Sequence, residues 1–297
     1  MMVDKTKLGI EFFDETFGGV YRGRTVFCYG RRDSGKSVIA SSFLHQAFMD
    51  GDRSLLLTDW QAKDALIVAE AVGVPFSHMV RTGNLTILEY SSFVPGTQVR
   101  ADSPLPPTAF VELQKIIASR SIRRVVFDTA LPWLAIHPIE RMPGHVYSFI
   151  HALERLNVTA LLTLPWPAST PAFMLKNRLE DVCPVVLVVQ RSEDTGESFF
   201  KVPKYLGDNL TSTAPVSFKM DRGTGAVRVD DSELPHSTLS RKEEMKQAQR
   251  NLSDPRQTDR PATLVRDSEW TASRSTTGGS ADDRDERPAS FSSVIDL

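Results

Sequence analysis

The chain has 297 residues, with 35 basic against 37 acidic side chains and 41% hydrophobic residues. A net charge of −2 excludes a protein coated in positive charge for bulk nucleic-acid or membrane binding, while leaving room for a local basic patch. No apolar run approaches the ~20 residues of a membrane helix and the first residues lack an apolar leader, so a soluble, unprocessed, cytoplasmic protein with no membrane partner is expected.

Arg24 to Gly30 (RTVFCYG) is β-branched and aromatic and reads as a buried strand. Gly35 to Met49 carries Val38, Ile39, Phe43 and Ala47 at helical spacing and is stopped by Gly51. The alternation continues with strands at 54–60 and 86–90 and helices from about Ala62 to Val72 and Thr108 to Ser119. Ile122 to Asp128, a helix from about His145 to Leu156, and the strand 158–165 follow. Continuous apolar strands alternating with amphipathic helices predict an α/β fold with a mostly parallel sheet covered on both faces. Short strands at 184–191, 198–204, 216–222 and 226–230 predict C-terminal antiparallel hairpins. Cys28 and Cys183, 155 residues apart in apolar surroundings, are expected to be packed thiols of a reducing compartment, with Cys183 beginning a late strand.

Composition changes near residue 230. From Asp231 to Leu297, Leu, Ile, Val and Phe supply nine of 67 residues, which is too few to bury a core. The expected organisation is a nucleotide-binding domain over 1–230 and a disordered polar tail over 231–297. Within the tail, Ser240 to Asn251 reads as a solvated or partner-induced helix, and Val294 to Leu297 as either a docking peptide or a chance apolar cluster. Ser91 to Pro107 reads as an exposed proline-rich insertion.

Gly30-Arg31-Arg32-Asp33-Ser34-Gly35-Lys36-Ser37 matches the phosphate-binding pattern G-x-x-x-x-G-K-[ST] between a strand and a helix, where its mechanism requires it. Backbone N–H groups from Gly30 through Val38 would turn toward phosphates at the positive end of the helix dipole. Lys36 would reach the β- and γ-phosphates, and Ser37 would offer a hydroxyl to Mg²⁺. Arg31 and Arg32 are unusual in such a loop and read either as solvated side chains or as added charge against phosphate or a neighbouring subunit. Asp128, ending an apolar strand behind two basic residues, is the Walker-B candidate for the magnesium-bound water. The six histidines show no metal spacing.

With these motifs, the opening Gly9-Ile10 to Asp14, followed by Gly18-Gly19 and Gly23, resembles that of RecA-superfamily ATPases of the KaiC and RadA type over about residues 7–230. The resemblance implies a RecA-like P-loop core, ATP with Mg²⁺ as cofactors, and a homo-oligomeric ring or filament with ATP at its interfaces. Two departures bear on catalysis. Where that family places a glutamate pair after the second core strand, Trp60 and Gln61 stand here. Asp59 as a base, Gln61 as a water-orienting group, and the absence of an efficient base are the alternatives. Where the family has Lys-x-Arg-Gly reaching a neighbour's γ-phosphate, this chain reads Lys204-Tyr205-Leu206-Gly207, which keeps the lysine and loses the arginine. The expectation is a regulatory ATP-binding protein of slow or absent hydrolysis, acting through nucleotide-dependent assembly or an unidentified protein partner. The alternative is a RadA-like DNA-recombination or repair accessory, its cue being Trp166, Lys176 and Arg178 in an expected channel-facing loop. Packing is the commoner use of tryptophans such as Trp133 and Trp166.

Overall fold

The computed structural model describes residues 4–89, 107–134, 138–192, 198–207, 216–221 and 225–228. The chain divides into Met1–Leu234 and Pro235–Leu297, and every described residue lies in the first unit. Residues 91–106 of the proline-rich insertion, the 222–224 turn, and the tail over 231–297 with its expected helix and apolar end lie outside the described residues.

Two very short strands, β1 (Lys5–Thr6) and β2 (Val20–Tyr21), pair antiparallel around helix α1 (Glu11–Phe17). Asp14 explains the spacing of the opening motif. Its carboxylate accepts from the backbone N–H groups of Leu8 (2.7 Å), Gly9 (2.9 Å) and Ile10 (3.2 Å), satisfying donors that the turn into α1 leaves unpaired.

The main sheet begins with β3 (Thr25–Gly30), which feeds α2 (Lys36–Met49). There follow β4 (Arg53–Thr58), α3 (Ala62–Ala71), α4 (Phe76–Arg81), β5 (Leu85–Glu89), α5 (Pro107–Arg120) and β6 (Ile122–Asp128). After β6 come α6 (Leu131–Leu134), a 3-10 turn over Ile139–Arg141, α7 (Met142–Arg155), β7 (Thr159–Pro165) and α8 (Thr170–Val182). The chain then runs antiparallel through β9 (Ser198–Tyr205), β10 (Val216–Asp221) and β11 (Gly225–Arg228) after β8 (Val185–Arg191). The nine strands lie in the order β11-β10-β9-β8-β3-β7-β6-β4-β5, with β3 to β8 mutually parallel.

Alternate residues of the parallel strands feed two cores. Phe27, Leu57, Phe127, Leu162 and Val186 pack beneath α5 to α8, while Val26, Leu56, Val126, Leu161 and Leu187 pack beneath α1 to α4. This doubly covered sheet is the expected α/β architecture, and burial on both faces accounts for its continuous apolar strands. Cys28 and Cys183 are both buried, and burial pushes each thiol up to about 12. Cys183 ends α8 rather than beginning β8.

Three local expectations are corrected. The strand read over 54–60 stops at Thr58, so Asp59 and Trp60 lie on the bend beyond it and strand alternation does not govern where they point. A helix, α4, follows α3 where none was expected. The stretch read as a loop through Lys176 and Arg178 is the 13-residue helix α8. Its N-cap Ser169 accepts from Ala172 N–H, and Pro171 sits in the first turn, where a missing N–H costs nothing.

Candidate nucleotide site

The carboxyl ends of β3, β6 and β7 meet at one edge of the sheet, the place where open α/β sheets take ligands. Gly30 ends β3 with no room for a side chain, because a Cβ there would collide with the Val189 carbonyl. The loop then turns through Asp33 (φ 56°) to Gly35 (φ 108°), a left-handed conformation that strains any other residue. That turn ends at the N-terminus of α2, whose first N–H groups are free of helical partners. Val38 N–H closes onto Gly35 O at 3.1 Å.

Lys36 folds back over the loop, its Nζ donating to Gly30 O (3.0 Å) and Arg31 O (2.6 Å). Burial holds its ammonium below the usual lysine range. The ammonium therefore rests on neutral carbonyl oxygens, weaker partners than a phosphate oxygen would be. Ser34 adds a fully buried Oγ that makes no hydrogen bond among the described residues. Arg32 and Asp33 point into solvent.

At the neighbouring corner, Ser37 Oγ donates to Asp128 Oδ2 at 3.2 Å, and Thr163 Oγ1 donates to Asp128 Oδ1 at 2.7 Å. Burial raises the Asp128 carboxyl above its ordinary value, the two hydroxyls counteract it, and the charge of Asp59 adds to the rise. Two adjacent oxygen donors, one of them a carboxylate, suit a hard divalent cation such as Mg²⁺. Ser37, Asp128 and Trp60 line a narrow crevice whose other walls include Leu44, Leu56, Ala65 and Phe76.

The phosphate loop, Ser37 and Asp128 are thus brought together. Asp59 lies beside them, its N–H donating to Asp128 O at 3.3 Å, while Gln61 precedes α3 without a side-chain capping bond. Both side chains are exposed, and among the described residues neither makes a side-chain hydrogen bond. Ala62 N–H is instead capped by Glu89 Oε1 at 2.9 Å.

Lys204 is not part of this cluster. It is level with Val186 and hence with Phe27, three residues short of Gly30 along β3. Its Nζ donates to the carbonyls of Glu180 (2.6 Å) and Asp181 (2.8 Å), where a cation complements the C-terminal end of α8.

Trp166, Lys176 and Arg178 serve internal contacts. Trp166 N–H donates to Gly30 O at 2.8 Å and its ring lies 5.6 Å from that of Tyr29. Lys176 pairs with Glu180 at 2.8 Å, and Arg178 Nε donates to Pro143 O at 3.4 Å. Trp133 is buried against Phe127 and Phe149. Thr163 was not singled out by sequence, where its only signal is a hydroxyl inside the otherwise apolar run ALLTLP of β7.

Comparison with known proteins agrees with this geometry. The sequence profile of the family described as "ATPase: KaiC" matches residues 6–228. The chain belongs to the KaiC family of ATPases, a class of RecA-like P-loop proteins. It is 26% identical over 169 residues to a circadian clock oscillator protein KaiC from a Nostoc species, covering 54% of this chain and 32% of that one. The chain thus spans about a third of the length of that relative. The crystal structure of a KaiC-like protein from the archaeon Pyrococcus horikoshii superposes with a TM-score of 0.62 at 19% identity, covering 77% of this chain and all of that one. That likeness supports the fold. Among the described residues no helix is long and apolar enough to cross a membrane.

Proposed function

We infer that the chain is a cytoplasmic regulatory ATPase-fold protein that binds ATP with Mg²⁺ through Gly30–Ser37 and Asp128, turns it over slowly or not at all, and acts through nucleotide-dependent assembly or partner binding. The observation that carries this reading is a phosphate cradle next to the Ser37–Asp128 corner, with no base positioned there among the described residues. Backbone N–H groups and Lys36 would take the phosphates; Ser37 and Asp128 would hold the cation, which supplies charge neutralisation on the β,γ-oxygens. A general base has to come within hydrogen-bond reach of the water, directly or through one water. The indole of Trp60 lines the crevice, and the exposed side chains of Asp59 and Gln61 make no hydrogen bond among the described residues that would hold them toward it.

Assembly of copies into a ring or filament, with nucleotide at the interface, is part of the proposal. Lys204 lies three residues short of Gly30 along the sheet and caps the C-terminal carbonyls of α8, so it does not act on the phosphate loop of its own chain. Leu206 supplies no charge beside it, and a missing arginine at such a place lowers turnover by ~10³-fold or more. The DNA-accessory reading draws less support, because Lys176 and Arg178 are engaged within the fold.

Titration of the purified protein with ATP·Mg²⁺, together with turnover measurements on wild type and Lys36→Ala, tests the proposal. Binding weakened about 10–100-fold in the variant, and wild-type turnover well below the ~1 s⁻¹ of ordinary enzymes, are expected. Absence of binding in the wild type overturns the reading, and rapid turnover removes its regulatory half.

A further inference from the structure

We propose that Thr163 is a positioning residue that sets how strongly Mg²⁺ and ATP reinforce each other at this site, by locking the Asp128 carboxylate with Oδ1 turned into the protein and Oδ2 turned toward Ser37. This inference rests on the nucleotide site proposed above.

The pairing of β6 with β7 sets Phe127 against Leu162, which places Asp128 beside Thr163. Thr163 is fully buried, and its neighbours Ala160, Leu161, Leu162 and Leu164 are apolar. A hydroxyl in such a place is costly unless bonded, and a valine would fill the same space at no polar cost. Among the described residues the hydroxyl makes one hydrogen bond, the 2.7 Å donation to Asp128 Oδ1.

The carboxylate torsion of an aspartate is broad and nearly two-fold, so burial alone does not select an orientation. Two hydroxyls select it here, Thr163 on one oxygen and Ser37 on the other at 3.2 Å. Only the Thr163 bond is independent of the proposed cation, because Ser37 is itself a proposed ligand.

The backbone of Thr163 does a separate job. Its carbonyl accepts from Ala130 N–H at 2.9 Å and Thr129 Oγ1 at 3.1 Å, fixing the chain that follows Asp128. A side-chain substitution leaves these bonds available, so the hydroxyl's contribution can be isolated from that of the fold.

The readout is the ratio of ATP dissociation constants in EDTA and in Mg²⁺, measured on the full chain. Groups that orient a metal ligand typically change metal affinity about 10–100-fold when removed. Thr163→Val is expected to shrink the ratio about tenfold or more while leaving ATP binding in EDTA within about twofold. Thr163→Ser, which keeps the hydroxyl, is expected to restore the wild-type ratio. A purely structural role would weaken binding in both conditions together, and that result overturns the proposal, as does an unchanged ratio in Thr163→Val. Should the valine variant fail to fold, Thr163→Cys keeps the volume with only a weak donor and carries the same expectation. A wild-type protein whose ATP binding is indifferent to Mg²⁺ would count instead against the nucleotide site itself.

Discussion

The two edges of the parallel sheet use charge in opposite ways. Near the N-terminal ends of β4 and β6, Arg124 is 1% exposed and uses four of its five N–H donors within the chain. It pairs with Asp50, donates to Asp52 Oδ2 (3.2 Å), Thr6 Oγ1 (2.6 Å) and Lys7 O (3.0 Å), and lies over the Phe43 ring at 5.2 Å. At the opposite edge, Lys36 rests on its own loop's carbonyls, Ser34 Oγ has no hydrogen-bond partner among the described residues, and burial alone would keep Asp128 from ionising at its ordinary pH. A buried ion most of whose donors are satisfied within the chain holds the fold together. Polar groups left half-satisfied at the carboxyl ends of strands mark where a ligand completes the structure.

If that contrast is right, removing the two cations should have different consequences. Arg124→Met leaves Asp50 without a cationic partner and Asp52 with only the longer contact to Arg22 (3.8 Å), and removes the tie to Thr6 and Lys7, at a cost of roughly 3 kcal/mol. Urea unfolding should show the loss, and a change below about 1 kcal/mol would mean that the N-terminal edge is not the structural one. Lys36→Ala should weaken ATP binding by about 10–100-fold, as expected for one charge-assisted contact of ~1.5–3 kcal/mol. Its unfolding midpoint should stay level or rise, because the lysine is held desolvated without an ionic partner in hydrogen-bond contact. A destabilised Lys36→Ala that still binds ATP normally would erase the distinction.

The smallest effect concerns pH. His145 is buried, its Nε2 lies 2.7 Å from Trp133 O, and burial lowers its pKa below the ordinary 6.5. The unfolded chain therefore takes up a proton before the folded one does, so stability is present above about pH 6.5 and declines as the pH falls below it. The slope cannot exceed ~1.4 kcal/mol per pH unit for one such group. His145→Gln should flatten the acid side of a stability–pH profile between about pH 7 and 5. An unchanged slope would assign the acid sensitivity to other groups, His45 among them, which burial also lowers.

Much of the working edge was legible in the residues because its chemistry is local. The phosphate loop needs one strand, one turn and one helix in succession, and Ile122–Asp128 coincides with its expected bounds. What escaped depended on partners distant in sequence or on a loop carried over from the family resemblance. Residues 166–178 were expected to form a channel-facing loop because the resemblance places one there, whereas Ser169 and Pro171 open the capped helix α8. Strands of two residues, such as β1 and β2, are too short to show a period. Asp59 was placed on a strand because an apolar run continued toward it, whereas Trp60 N–H instead turns back to Thr58 Oγ1 at 3.2 Å. Thr163 and Arg124 acquire meaning only through strand register, which brings each to its carboxylate from 35 and more than 70 residues away.

The central claim is that the cradle holds ATP and leaves it intact. Incubating excess protein with labelled ATP and Mg²⁺, isolating the complex by rapid gel filtration and identifying the bound nucleotide by chromatography tests this directly. Protein-bound, unhydrolysed ATP after many minutes is the expected result. Recovery of ADP, or of protein carrying no nucleotide, would contradict it.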